Sequence, residues 1–361
     1  MEYYIYITNK CNLNCSYCSV MMDPHQTTIP DEINYSIRDL KTFIDKKQKS
    51  VSSKDNTACI YFFGGEPTLN YPQISDIIKL FDNRTDYTVK FVLHTNGLLL
   101  DIIPFDIISK VDVIFLSLNY EKIFNKGLIT SYFYKIIRTI SELKSKYNII
   151  TIGRFTVSNN TSLYTEATMS GLFFDYVYWQ LDNQQKLSNL DTYKERYKND
   201  IAILIDYWIR YLENGVVLRY VPFLSVTKHL LSKSTTPTHY YCGFGEDIVF
   251  IQTDGSCYGC CDNIVNKKYL LGNIYDGIKY SDMEIDEHCA SCQYIKLCGG
   301  RCGRMHKDFE QWRIDDFCEM NVFSFKLLQE SLPRIKKAIQ KKPELWEAFV
   351  DTNIEYTEQI P

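Results

Sequence analysis

Two hydrophobic periods alternate along the first half of the chain. Short apolar, β-rich runs occupy residues 3–7, 58–63, 89–94, 111–118, 149–157 and 173–181. Between them, helical patterns cover residues 31–46, 71–81 and 129–147, with weaker segments near 101–109 and 162–168. Six strands, each followed by a helix, read as a βα array on a parallel sheet. Six units fall short of a closed eight-fold barrel, so the pattern allows a partial barrel or an open sheet. In either, chemistry collects on the loops at the carboxyl ends of the strands.

The second half reads differently. Residues 191–214 form the strongest helix pattern and stop before Gly215. Residues 215–224 are strand-like, and 232–239 are polar. The segment 242–318 is short on regular structure, with one hairpin candidate, 248–252 and 257–260 around Thr253-Asp254-Gly255. The tail from 321 to 350 is helical, interrupted by Pro333 and Pro343. The expected divisions are a barrel at 1–183, a bridging helix and strand at 184–240, a Cys-rich domain at 241–320 and a helical tail at 321–361.

A chain of 361 residues, 45% hydrophobic and 23% charged, has ample material for a buried core. Its net charge of −4 and lack of a basic run argue against a nucleic-acid partner. No apolar run reaches the roughly 20 residues that span a bilayer, so no membrane role is expected. The start, MEYYIYITNK, has neither a basic n-region nor a cleavage site. A cytoplasmic location is the expectation.

The 13 cysteines change the picture. An odd number cannot pair off entirely, and a chain without an export signal keeps its thiols reduced, which points to metal. Cys59 lies in an apolar run and reads as a small buried hydrophobe. Cys11, Cys15 and Cys18 are spaced C-x3-C-x2-C on the loop after the first strand. Three thiolates hold three corners of a cubane and leave one iron open, whereas a closed site wants four ligands. The alternative is a zinc site completed by His25 or His94. Gly64-Gly65-Glu66-Pro67 follows the second strand and Thr95-Asn96-Gly97 the third. Three unusual sequences at consecutive strand ends would face one mouth.

The motif CNLNCSYC after an N-terminal strand resembles the signature of radical S-adenosylmethionine (radical SAM) enzymes. The resemblance implies that Cys11, Cys15 and Cys18 bind a [4Fe-4S] cluster whose open iron is chelated by SAM, on a partial (β/α)6 barrel. It places Tyr17 near the adenine and makes Gly64, Gly65, Glu66 and Pro67 the loop that receives the SAM ammonium. Glycines there let the backbone approach closely. Asn96 belongs to the family's third-strand turn. Ser117 and Asn119 stand where relatives often carry Ser-x-Asp, and the Asn is a departure from that pattern. Arg154, on the fifth strand, would pair with the SAM carboxylate or serve a structural ion pair.

The later cysteines read Cys242, Gly255-x4-Cys260, Cys289-x2-Cys292-x5-Cys298-x3-Cys302 and Cys318. This pattern is similar to the SPASM extension of radical SAM enzymes, a C-terminal Cys-rich iron–sulfur domain. The resemblance implies two auxiliary [4Fe-4S] clusters, hence three in all. Cys289, Cys292, Cys298 and Cys318 would hold the second; Cys242, Cys260 and Cys302 would hold the first. No cysteine lies between Cys59 and Cys242 to supply the first auxiliary cluster's fourth ligand. That leaves Cys257, Cys261, a non-cysteine group or an open iron, with Cys257 preferred over Cys261 because neighbouring residues on a strand point to opposite faces.

The resemblance implies reductive cleavage of SAM with an electron from a flavodoxin- or ferredoxin-type donor, and hydrogen abstraction from a peptide or protein substrate. The first reading is a ribosomal-peptide maturase that makes a cross-link or related side-chain modification. The second is an anaerobic sulfatase maturase that forms formylglycine. A third is a non-catalytic iron–sulfur or zinc module. Relatives often carry a leader-recognition domain before the first motif; here leader binding would fall to the bridge, the tail or a separate protein. Asp182, Asn183 and Trp179, at the end of the sixth strand, are the candidates for catalytic contact with substrate.

Overall fold

The structure is a computed structural model that describes residues 1–15, 18, 28–51, 56–82, 84–118, 124–125, 128–159, 161–182, 189–232, 235–244, 246–261, 267–280 and 284–350. Tyr17, His25, Asn119 and Asn183 lie outside the described residues. In chain order the elements that position the candidate site are β1 (Glu2–Thr8), α1 (Ile37–Gln48), β2 (Thr57–Gly64), α2 (Tyr71–Phe81), β3 (Thr88–Thr95), β4 (Val113–Leu118), α3 (Ser131–Lys146), β5 (Ile150–Val157), α4 (Leu163–Ser170) and β6 (Tyr176–Leu181). They continue as α5 (Leu190–Glu213), α6 (Val221–Leu231), β7 (Ile248–Ile251), β8 (Ser256–Tyr258), β9 (Leu270–Asn273), β10 (Gly277–Ile278), α7 (Glu287–Ala290), α8 (Ile295–Cys298), α9 (Gly303–Asp308), α10 (Gln311–Glu330) and α11 (Leu332–Lys341).

The chain forms two compact units, Met1–Ile152 with Gly245–Asp282, and Gly153–Phe244 with Met283–Pro361. In the first, β1, β2, β3 and β4 run parallel in that order, and β7 adds in parallel to the other edge of β1. The hairpin β7–β8 and strands β9 and β10 continue the sheet antiparallel. The sequence expectation of an α/β fold on a parallel sheet holds. Strand β1 is buried on both faces, as a central parallel strand must be. On one face Phe250, Tyr4 and Tyr61 stack across β7, β1 and β2, with ring centroids 4.5 and 4.0 Å apart. Helix α3 turns Phe133, Ile136, Ile140 and Leu143 inward at helical spacing, and α1 is capped by the Ser36 hydroxyl.

The second unit has α5 as its spine, burying Tyr193, Tyr197, Leu204, Trp208 and Leu212 along one stripe. Residues 215–224, read as strand-like, are not a strand. Tyr220 makes one isolated parallel bridge to Val177, and helix α6 starts at Val221. Pro222 sits in the first turn of α6, where its missing N–H is no loss. The tail prolines behave alike: Pro333 begins α11 and Pro343 begins a 3-10 turn, so they start segments rather than break one. Cys318 lies within α10, ahead of the tail proper.

Candidate functional site

In the first unit the backbone immediately before Cys11 is sewn to the glycine loop. The Gly65 N–H donates to the Thr8 carbonyl at 2.9 Å and the Glu66 N–H to the Lys10 carbonyl at 2.8 Å. A Cβ on Gly64 would lie 2.3 Å from the Thr8 oxygen, and one on Gly65 2.3 Å from the Lys10 oxygen. Gly64 also has a φ of 126°. These glycines are therefore needed to let two protein strands meet, whatever else approaches the loop.

Glu66 is buried, and both carboxylate oxygens are occupied. Oε1 accepts from the Thr68 N–H at 3.2 Å, the Thr68 hydroxyl at 2.5 Å and the Thr95 hydroxyl at 2.7 Å. Oε2 accepts from the Asn96 N–H at 2.8 Å. Burial pushes its carboxyl above the usual range, and these donors pull it back. Glu66 thus clamps the end of β2 to the end of β3. Asn96 extends the clamp: its side-chain amide donates to Asn12 Oδ1, inside the cysteine loop, at 2.7 Å. Its carbonyl accepts from the Tyr132 hydroxyl at 3.1 Å. Tyr132, at the start of α3, belongs to no motif and was invisible in the sequence. It lies close enough to Cys15, Cys11 and Glu66 that their charges, with burial as the larger cause, push its hydroxyl above the usual range.

The cysteine loop itself turns at Cys15, whose carbonyl accepts from the Cys18 N–H at 3.2 Å. The Leu13 N–H points at Cys11 Sγ at 3.4 Å. Burial raises the Cys11 thiol, and the charges of Glu66, Cys18 and Cys15 add to the rise. The three thiols are therefore neighbours, and a bound cation would relieve their repulsion. A tie from the other side comes from the hairpin turn: Asn9 Nδ2 donates to Thr253 Oγ1 at 3.1 Å and to the Pro30 carbonyl at 2.9 Å. Ser117, half-buried in β4, lies one residue beyond the last pair that β4 makes with β3. His94 packs between the rings of Phe63 and Phe115, at 5.2 and 4.8 Å.

Cys257 and Cys260 belong to this unit, Cys242 and Cys302 to the other. Cys257 is fully buried in β8, and its thiol donates to the Gly255 carbonyl at 3.7 Å. Burial drives it far above the usual thiol range, with Asp254 adding to the rise and Lys47 opposing it. Cys59 is buried in β2, as expected.

In the second unit Cys289, Cys292, Cys298 and Cys318 lie within one another's electrostatic reach. Burial pushes Cys289 up to about 12, and the charges of Cys318 and Cys292 contribute. Cys298 is also raised to about 12 by burial, against the pull of Arg301, with Cys318, Cys289 and Cys292 adding to the rise. Cys318 is raised by burial and by Cys292, again opposed by Arg301. Four thiols that feel one another, Cys289 buried and the other three half-buried, are a soft donor set suited to an iron–sulfur cluster, which would displace their protons. His306 Nε2 stands 3.2 Å from Cys289 Sγ, a contact that no sequence motif signalled. Among the described residues, no three Cys, His, Asp or Glu side chains are gathered as a ready-made single-ion site.

One expectation in this unit needs correction. Trp179 does not face a mouth. It is fully buried against Phe155, Tyr220 and Phe223, at 6.3, 6.3 and 5.3 Å. Strand alternation turns it toward α6, while Gln180 turns the other way. Arg154 donates to Gln180 Oε1, and Gln180 Nε2 to the Tyr178 hydroxyl at 3.1 Å. Among the described residues it has no carboxylate partner. Asp182 is buried, its N–H on the Val157 carbonyl at 3.1 Å, with Arg313 and Tyr193 in its field.

Residues 5–164 match the radical SAM superfamily. A cysteine-type anaerobic sulfatase-maturating enzyme of Clostridium perfringens is 27% identical over 91% of this chain and 95% of its own length. The radical SAM cyclopropyl synthase TigE of Paramaledivibacter caminithermalis is 23% identical over 84% of this chain and 68% of its own. The solved structure of native anSMEcpe with bound AdoMet is similar at a TM-score of 0.69 and 20% identity, covering 94% of this chain and 100% of its own. Native anSMEcpe with AdoMet and a Cp18Cys peptide gives 0.68 at 20% identity, covering 94% and 99%. The shared fold is the parallel α/β partial barrel.

Proposed function

The chain carries a radical SAM domain at residues 5–164, and from that premise we propose that it is a maturase that modifies side chains of a ribosomally made peptide. The observation that carries this reading is the three-thiol loop, one ligand short of closure, welded by Glu66 and Asn96 to the two neighbouring strand ends. Cys11, Cys15 and Cys18 would hold the [4Fe-4S] cluster. SAM bound there supplies a carbon radical able to take hydrogen from an unactivated C–H bond. This chain's residues fix the cluster loop through Glu66, Asn96 and Asn12. With Glu66 occupied, backbone carbonyls of the glycine loop receive the ammonium. Arg154 would pair with a ligand carboxylate.

The four thiols of the second unit would hold one auxiliary cluster, and Cys242, Cys260 and Cys302 another. An open iron on that last cluster would suit capture of a substrate thiolate, and Cys257 as fourth ligand would close it. A peptide or protein substrate and a flavodoxin- or ferredoxin-type donor complete the reading.

Sulfatase maturation is the second reading. It is favoured by the Clostridium perfringens relative, which this chain matches along almost its whole length. One experiment separates them. Anaerobically reconstituted protein is given dithionite, SAM and either a Cys-containing sulfatase peptide or a candidate precursor peptide, and products are read by mass spectrometry. Conversion of Cys to formylglycine, with loss of sulfur, supports the second reading; a cross-link in the precursor supports the first. Reconstitution should give about twelve irons per chain. Cys15→Ala should abolish 5′-deoxyadenosine formation, while Cys292→Ala should spare cleavage more than product. Normal SAM cleavage by Cys15→Ala would overturn the cluster assignment.

A further inference from the structure

The turn between Cys298 and Cys302 is made of three consecutive left-handed residues: Gly299 at φ 61°, Gly300 at 76° and Arg301 at 59°. The two glycines are sterically required. A Cβ on Gly299 would come within 2.2 Å of the Tyr241 ring, and one on Gly300 within 2.9 Å of the Tyr240 ring. Arg301 is different. Among the described residues it is the one non-glycine residue with positive φ. Such a conformation disfavours an L-residue by about 1–2 kcal/mol. Glycine would sit there without strain, so the position retains its side chain against a backbone penalty. A backbone outlier of this kind is a pointer to function.

The side chain is held from two sides. Its guanidinium carbon lies 4.4 Å from the centre of the Phe317 ring, and a guanidinium nitrogen contacts the Met305 sulfur. Phe317 immediately precedes Cys318, and the Arg301 N–H donates to the Cys298 carbonyl at 3.2 Å. The cation is thus fixed beside two of the four thiols. Both thiols lie within reach of its charge.

We propose that Arg301 is a positioning cation for the cluster at Cys289, Cys292, Cys298 and Cys318, and that it raises the reduction potential of that cluster. The inference rests on reading those four thiols as cluster ligands. Reduction adds one electron and makes no bond, so a nearby fixed positive charge stabilises the reduced cluster more than the oxidised one. A flexible or solvated cation would be screened; one clamped on an aromatic ring beside the ligands is not.

The test is an EPR-monitored redox titration of the full reconstituted enzyme, with dithionite as electron source. The relevant signal is the one that Cys292→Ala removes. Arg301→Gly relieves the backbone and deletes the charge. It should keep its iron and melt no lower than wild type. At fixed potential, its reduced-to-oxidised ratio at this cluster should fall about tenfold, equivalent to about 59 mV for one electron. Arg301→Lys should lie nearer wild type than Arg301→Gln. An iron-loaded Arg301→Gly with unchanged potential overturns the proposal. If Arg301→Gly fails to hold iron, the Lys and Gln variants decide, and equal potentials in them overturn it. If wild type gives no signal that Cys292→Ala removes, the four-thiol reading falls and this inference with it.

Discussion

Glu66 sits among four donors at the dry end of the sheet, and each of its oxygens has a defined partner. Glu66→Gln keeps the shape but turns an NH2 group toward either the Thr95 hydroxyl or the Asn96 N–H. One buried donor pair is then left unmatched, which costs about 1–3 kcal/mol. The expected outcome is a lower unfolding midpoint in anaerobic urea titration and slower 5′-deoxyadenosine formation, since Asn96 also holds Asn12 of the cysteine loop. Wild-type values for both would show that the clamp is not what orders the loop. Cys257 gives a second residue-scale prediction. Its thiol is buried and bonded to the Gly255 carbonyl, so Cys257→Ala should keep the iron content of wild type, whereas Cys260→Ala should lose iron. Equal losses would restore Cys257 as a ligand. The cysteine spacings were readable in the sequence because a cluster fixes them locally. The Asn12–Asn96–Tyr132 chain was not, because those contacts span the distance from residue 12 to residue 132 and each partner is an ordinary polar side chain.

Helix α10 carries Cys318 and is held to α5 in two ways. Lys194 of α5 reaches Asp316 at 2.6 Å and Glu319 at 3.1 Å, and Lys198 reaches Glu319 at 2.6 Å. The helix also buries Ile314, Phe317, Met320, Phe325 and Leu328. Partly solvated ion pairs contribute about 0–1 kcal/mol, whereas truncating a buried Met to Ala costs about 2–5 kcal/mol. Met320→Ala should therefore lower the urea midpoint several times more than Lys194→Ala does. The reverse order would mean that charge, not packing, seats the Cys318 helix. At this scale periodicity served well where packing obeys one period. The six strands fall within a few residues of their expected positions, and α2 matches its expected bounds of 71–81. It failed at residues 215–224, where the apolar run is short and continuous, so strand and buried helix look alike. It also could not show that β7 pairs with β1, because partner choice at a sheet edge is a long-range contact with no local signature.

At the scale of the molecule, the regular structure around the two sets of thiols is unequal. The first unit rests on a sheet whose strands fully bury Tyr3, Ile5, Tyr6, Ile60 and Phe62. In the second, the segment bearing Cys289, Cys292 and Cys298 has only α7 and α8, each of four residues. Helices that short are unstable by themselves, so ligand binding must supply the order that local hydrogen bonds do not. Iron removal is therefore expected to act unevenly. Hydrogen exchange on the apo and reconstituted forms, compared under anaerobic conditions, should show residues 287–303 losing most of their protection in the apo protein. Strands β1, β2 and β3 should keep theirs, because their opening requires breaking the sheet rather than releasing a metal. Uniform loss across both regions would mean that cluster binding folds the whole chain as one cooperative body. Unchanged protection at 287–303 would mean that these thiols are ordered without metal, and would count against an auxiliary cluster there.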